Sequence, residues 1–324
     1  MKYIDKLLNL KNEIGHTKMV KLVFEYKGNE KTIYAKEEFL NPSGSIKIRP
    51  AYQILFDAIR SGKLKEGQRV VEVTSGNMGI ALAYLCIRIG NPITIIMPKT
   101  MSEERKQILK NLGVDIVLTD NFLEAFEKQK EYEKSNAFLT KQFDNPSNLK
   151  AHEETAEEII NSKIKFDGFV SGVGTAGTLI GCGGFLKEKL GTKLIAIDPI
   201  ESSLLINKKS KGKHKIQGLS DQIIPDLYKK ELVDQIIEID SNDAICMARK
   251  IKKEFGVAVG ISSGANVLGA ILSNLGRVVT VFADDDKKYA STDLTNKSLK
   301  SLVADEIKFI SCKTIRLQLV WYVK

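Results

Sequence analysis

The chain has 324 residues, of which 43% are hydrophobic and 27% charged, with a net charge of +9. That length accommodates two domains of ordinary size, and the balance is normal for a soluble globular protein. No uncharged apolar run reaches the roughly 18 residues of a membrane span, and residues 1–11 lack the apolar centre of a signal peptide, so a cytoplasmic protein is expected. Cys86, Cys182, Cys246 and Cys312 form no C-x-x-C pair, and the three histidines are isolated, which argues against a disulfide framework and a metal site. The lysines are spread along the chain rather than gathered in a basic arm, so neither nucleic acid nor membrane is an expected partner. The positive field suits small anions.

In chain order, residues 1–15 read as a short helix and turn. Val20 to Phe24 and Lys31 to Phe39 alternate as strands joined by a Lys27-Gly28-Asn29 hairpin turn. Asn41-Pro42-Ser43-Gly44 is a turn that leads into a helical face of Ala51, Ile54, Leu55 and Ala58, which sets Lys47 at a helix start. A lysine there opposes the helix dipole, and a Schiff base to pyridoxal phosphate is one chemistry such a lysine performs. Arg69 to Val73 is a valine-rich strand that runs into Thr74-Ser75-Gly76-Asn77 and an apolar helix from Met78 to Ile89. The loop offers hydroxyls, an amide and backbone N–H groups to an anion.

Strands at 93–97 and 114–118 alternate with helices at 102–112, with Ser102 as cap, and 122–134. Gln142 opens a loop into a helix at 148–161. Gly168 to Ser171 is a strand that ends in Gly172-Val173-Gly174-Thr175-Ala176-Gly177-Thr178, where converging N–H groups and threonine hydroxyls make a phosphate cradle before a helix at 179–190. A methyl at Ala176 requires negative φ. Further strands are expected at 193–197, 233–239 and 277–282, with Ser241-Asn242-Asp243 capping a helix to Glu254. Repeated strand–helix units imply α/β architecture with helices on both faces of open sheets.

The lysine stretch, Thr74–Gly79, Gly172–Thr178 and Gly260–Ala265 together resemble the cysteine synthase family, the β-replacing pyridoxal-phosphate enzymes that include O-acetylserine sulfhydrylase and cystathionine β-synthase. The resemblance runs from about Ile14 to about Thr292. It implies the tryptophan synthase β-like fold (fold type II) with two open twisted-sheet domains: 44–150 as the smaller, 1–43 plus 151–306 as the larger, and 307–324 as a tail. It also implies a homodimer.

By the same resemblance Lys47 holds pyridoxal 5'-phosphate as an internal aldimine. Asn77 meets its phenolic oxygen, Gly174, Thr175, Ala176, Gly177 and Thr178 hold its phosphate, and Ser262 meets its pyridine nitrogen. Thr74, Ser75, Gly76, Asn77, Met78 and Gln142 hold the substrate carboxylate. The family usually has threonine at position 78, glycine at 176 and aspartate at 48, where this chain has Met78, Ala176 and Ile48. Gln217-Gly218-Leu219-Ser220-Asp221-Gln222 replaces the small residues usual beside the reacting carbon. A carboxylate there can deprotonate water, so Asp221 is a candidate general base. The first reading is a cysteine lyase that converts L-cysteine and water, through an aminoacrylate, to L-serine and hydrogen sulfide. The alternatives are a cysteine synthase acting on O-acetyl-L-serine and sulfide, and a non-catalytic paralogue that acts as a binding partner.

Overall fold

The computed structural model describes residues 2–208, 212–220 and 223–315. The elements in order are α1 (Tyr3–Leu8), β1 (Met19–Tyr26), β2 (Asn29–Glu37), α2 (Ile48–Arg60), β3 (Val70–Val73), α3 (Asn77–Ile89), β4 (Ile93–Pro98), α4 (Glu103–Asn111), β5 (Asp115–Thr119), α5 (Phe122–Glu133) and β6 (Phe138–Leu139). There follow α6 (Ser147–Asn161), β7 (Gly168–Gly172), α7 (Gly184–Leu190), β8 (Lys193–Pro199), α8 (Leu204–Asn207), β9 (Gln235–Ile239), α9 (Ser241–Phe255), α10 (Ile261–Leu272), β10 (Arg277–Phe282) and β11 (Lys308–Ile315).

The strands form two sheets. One has four parallel strands in the order β5-β4-β3-β6. The other has seven in the order β11-β1-β2-β10-β7-β8-β9. Its β2-β10-β7-β8-β9 portion is parallel, whereas β1 lies antiparallel between β2 and β11. Tyr26 pairs with Asn29 across a two-residue turn. Lys27 and Gly28 both take positive φ there, at 50° and 76°, which is the type I′ geometry that matches strand twist. The alternation in the expected tail is a true strand, β11, which covers the outer edge of β1; the tail beyond Ile315 lies outside the described residues.

Ala51, Ile54, Leu55 and Ala58 are all buried, as the helical spacing predicts. They join Leu7, Leu10 and Ile14 with the inner faces of α3 and β4 in one core against the small sheet. Full burial of each Leu or Ile contributes about 1.5–3 kcal/mol, so this stripe alone anchors α2. The large sheet has its own core, in which α9 and α10 pack on one face, and a further cluster gathers on the α7 side.

Two caps differ from expectation. The side chain of Asp240, not Ser241, accepts from the Asn242 and Asp243 N–H groups at the start of α9, because its carboxylate reaches both orphan donors. Ser102 stands at the α4 N-cap but donates its hydroxyl to Lys288 O, at 2.8 Å, and so ties α4 to a distant loop. The helix expected at 179–190 begins as a wide π-type turn over Gly177–Gly183 before α7.

Behind α2 lies a buried ionic cluster. Arg49 donates Nε to Glu38 Oε2 (2.7 Å) and Nη1 to Glu158 Oε1 (2.7 Å), and Lys36 Nζ meets Glu158 Oε2 at 2.5 Å. Burial alone would raise both carboxyls. The Arg49 guanidinium outweighs it and, with Lys36, holds Glu38 and Glu158 below the usual carboxylate range. The cluster ties the lysine-bearing helix to β2 and α6.

Candidate active site

The C-terminal ends of β3 and β7 face a cleft enclosing about 700 Å³ of non-atom space, counting the solvent at its mouth. Such crevices at strand C-termini are where open α/β sheets bind ligands. Lys47, Thr74, Ser75, Asn77, Met78, Gln142, Gly174, Thr175, Ala176, Gly177, Thr178 and Ser262, drawn from across the chain, all line it. Gly76 does not. Its φ of 134° turns it so that a Cβ would lie 2.5 Å from Arg105 Cδ, which makes glycine obligatory at the closest approach of loop and α4. Asp221 lies outside the described residues, although Gln217, Gly218 and Leu219 just before it are part of the lining.

Lys47 is the N-cap residue of α2 and half-buried. Its Nζ donates to Gln142 Oε1 at 3.4 Å and Thr175 Oγ1 at 3.3 Å. Thr74 is buried and its hydroxyl accepts from Gly76 N–H at 3.0 Å, so it shapes the loop at the start of α3. Asn77 donates Nδ2 to Asp284 Oδ2 at 2.8 Å, and its own Oδ1 is buried without a hydrogen-bond partner. Asp284 also accepts from Tyr289 Oη at 2.8 Å and pairs with Arg105 Nη2 at 3.3 Å. Arg105 in turn donates to Gln217, bridging α4 to the loop that precedes Asp221.

The glycine-rich turn after β7 is packed from two sides. A Cβ on Gly174 would fall 2.1 Å from Gly218 O, and one on Gly177 2.1 Å from Asn148 Oδ1. Ala176 sits at φ 63°, not at the negative φ its methyl prefers. The left-handed conformation costs about 1 kcal/mol, and the turn retains it because its neighbours fix the backbone. His152 lies beneath, with Nε2 3.5 Å from Thr178 Oγ1. Burial, together with the charges of Lys47 and Arg49, holds its pKa well below the ordinary value, so it is neutral.

Several contributing residues carry no sequence motif. Asn266 accepts from Gly172 N–H at 2.8 Å and donates to Val281 O at 3.0 Å, pinning β7 to β10 at the cleft floor. Asn148 donates to Gln142 O (2.8 Å) and Thr175 Oγ1 (3.0 Å), locking two lining segments together. Glu72, the one acid in a strand of valines, is fully buried behind Gln142. Burial raises its pKa to about 7, and hydrogen bonds from Thr140 and Gln142 offset this only in part. A lone carboxylate among valines was the available signal.

The residues fit pyridoxal phosphate. A lysine amine faces a glycine-walled turn with two hydroxyls at a helix start, which suits a phosphate. An orphaned amide oxygen, Asn77 Oδ1, waits for a partner on the same wall, and the neutral Ser262 hydroxyl stands at the start of α10. Among the described residues no group of His, Cys, Asp and Glu could hold a metal ion, and no helix is long and apolar enough to cross a membrane.

Comparison with known proteins agrees. Residues 10–284 match the family described as pyridoxal-phosphate dependent enzyme. A cysteine synthase of Staphylococcus aureus (strain Mu50) is 38% identical over 299 residues, covering 88% of this chain and 96% of that protein. The crystal structure of a hydrogen sulfide-producing enzyme from Fusobacterium nucleatum superposes with a TM-score of 0.89 at 40% identity, over 95% of this chain and 98% of that one. An aspartate-to-asparagine variant of a hydrogen sulfide-producing enzyme, solved with an α-aminoacrylate intermediate, superposes at 0.90 and 40% over the same shares. A cysteine synthase of Entamoeba histolytica superposes at 0.81 and 37%, over 94% of this chain and 93% of that one. From these matches and the lysine-and-cradle geometry, this chain belongs to the pyridoxal-phosphate dependent enzyme family.

Proposed function

We propose that the protein is a cysteine lyase that converts L-cysteine and water to L-serine and hydrogen sulfide. The observation that carries this reading is the position of Asp221 in sequence, two residues past the cleft-lining Leu219. It is supported by the hydrogen sulfide-producing neighbour, whose aspartate variant retains a trapped intermediate.

When bound, pyridoxal phosphate supplies an electron sink for the carbanion at the substrate α-carbon. The other steps fall to side chains. Lys47 anchors the cofactor and, once displaced by the amino acid, takes the α-proton at Nζ. Thr175 and Thr178 with the turn's N–H groups hold phosphate, and the Thr74–Asn77 loop holds the substrate carboxylate at the start of α3. A neutral Ser262 hydroxyl at the pyridine nitrogen favours β-elimination over transamination. The Asp221 carboxylate deprotonates water for addition at the β-carbon and repels hydrosulfide, a like charge in a low-dielectric cleft.

The alternative is a cysteine synthase that uses O-acetyl-L-serine and sulfide, favoured by the Staphylococcus aureus relative. Against an idle paralogue, Ile48 disturbs nothing visible: it is buried in the α2 core, and the support of the lysine helix comes from Arg49. We further propose a cytoplasmic homodimer, with 44–150 as the smaller domain and 1–43 plus 151–306 as the larger.

The test supplies the cofactor-loaded protein with L-cysteine alone and assays sulfide, serine and pyruvate. Sulfide and serine in equal amounts are expected, and Asp221→Asn is expected to release sulfide without serine. Sulfide with pyruvate from the unmodified protein would overturn the role of Asp221 in hydration. Neither product would overturn the lyase reading in favour of the synthase.

A further inference from the structure

Gln142 is buried, and all of its polar atoms are committed. Its Nε2 donates to Val73 O at 3.1 Å and to Glu72 Oε1 at 3.3 Å. Val73 O is a backbone carbonyl and can only accept, so it decides which end of the carboxamide is nitrogen. The remaining atom, Oε1, is therefore turned into the cleft, where it accepts from Lys47 Nζ at 3.4 Å. Glu72 reinforces this orientation. Its Oε2 accepts from Gln142 backbone N–H at 3.3 Å and from the Thr140 hydroxyl, so every group around it is a donor. Such a cage is built for an acceptor-only carboxylate, although no cation touches it.

We infer that Glu72 is a positioning residue that fixes the Gln142 carboxamide with its oxygen toward the cleft, making Gln142 an acceptor for the Lys47 ammonium rather than a donor to the substrate carboxylate. With both amide hydrogens turned away to Glu72 and Val73, Gln142 has none left for a carboxylate. The substrate carboxylate is left to the Thr74–Asn77 loop. The acceptor matters most when Lys47 has just taken a proton and its ammonium lies beside Thr175 and Gln142. Glu72 lies in β3, immediately before the Val73–Thr74 step into that loop, so one strand sets both the carboxylate loop and the orientation of the glutamine. This inference rests on the reading of Lys47 as the cofactor lysine.

The test compares Glu72→Gln, Gln142→Leu and the double variant with the unmodified protein. Gln at position 72 keeps the shape but brings a donor against the Gln142 N–H. In the loaded enzyme, kcat is expected to fall about tenfold in Glu72→Gln, the loss of one hydrogen bond to a charged group, while KM stays within about twofold. The double variant is expected to match Gln142→Leu alone, because Glu72 acts through Gln142. A second readout uses cofactor-free protein: the rate at which Lys47 is acetylated, followed by mass spectrometry. It is expected to rise about threefold or more in each variant as the acceptor is lost, with no further rise in the double. Buried Lys36 and Lys288 serve as controls and stay protected if the fold is intact. A rise in KM with kcat unchanged, additive losses in the double variant, or unaltered Lys47 labelling would each overturn the inference. Borohydride trapping of pyridoxal phosphate on Lys47 in the unmodified protein separates the two readings: absence of the adduct overturns the role of Lys47 itself.

Discussion

Buried carboxylates stand on two sides of Lys47, and the protein treats them oppositely. Behind α2, Glu38 and Glu158 meet a guanidinium and an ammonium, and the cations hold both below the ordinary carboxylate range. Behind Gln142, Glu72 meets only neutral donors, and burial raises it to about 7. The burial is comparable; the difference lies in whether a full positive charge is in contact. The first arrangement fixes a helix, and a paired charge is rigid. The second orients one amide next to a reacting amine, and a cation there would compete with Lys47 for the glutamine oxygen.

The comparison breaks most visibly at Arg49. Arg49→Met would leave two buried carboxyls facing Lys36 alone, and loss of one partner from a buried ion cluster costs about 3–5 kcal/mol. Chemical denaturation should report a loss of that order; an unchanged midpoint would mean the cluster contributes no stability. Next is pH. Glu38 and Glu158, depressed in the folded state, contribute stability that is present above the ordinary carboxylate pKa and lost as pH falls through their folded values. Glu72 has the opposite sign. Raised from 4.5 to about 7, it binds its proton more tightly when folded, so stability falls as pH rises from about 4.5 to about 7. The rise corresponds to roughly 3 kcal/mol. Urea midpoints at pH 5 and pH 8 should therefore differ less in Glu72→Gln than in the unmodified protein. Asp198, also raised to about 7 by burial, keeps its share in both. Equal differences would remove Glu72 from the account. The smallest effect separates backbone from charge: Ala176→Gly relieves a positive φ but loosens the unfolded chain and gives up a buried methyl, for a net gain of about 0.5 kcal/mol. A fall in thermal stability would show that the methyl contact outweighs the strain.

Much of this site was legible because glycines, hydroxyls and helix starts recur as local patterns. Gly174 and Gly177 read as cradle residues from spacing alone, and the structure gives the reason: backbone and Asn148 atoms leave no room for a Cβ. The left-handed backbone of Ala176 was not legible, because neighbouring packing sets φ. Arg105 reads as one more charge in Glu103-Glu104-Arg105-Lys106, yet it is buried across 179 residues of sequence from Asp284. Asn266 and Asn148 act by holding other segments in place, a role that no spacing announces. The strand β11 shows as alternation, but its pairing with β1 needs residues nearly three hundred positions apart.

That last pairing has a consequence for synthesis. The four strands of the small sheet come from a single stretch, residues 70–139, and can assemble while the ribosome is still at work. The large sheet cannot. Its β2 waits for β10 at 277–282, and β1 keeps an open edge until 308–315 arrive. For most of translation the nascent chain therefore carries a two-stranded hairpin with unpaired edges, a liability for aggregation that chaperone contact would relieve.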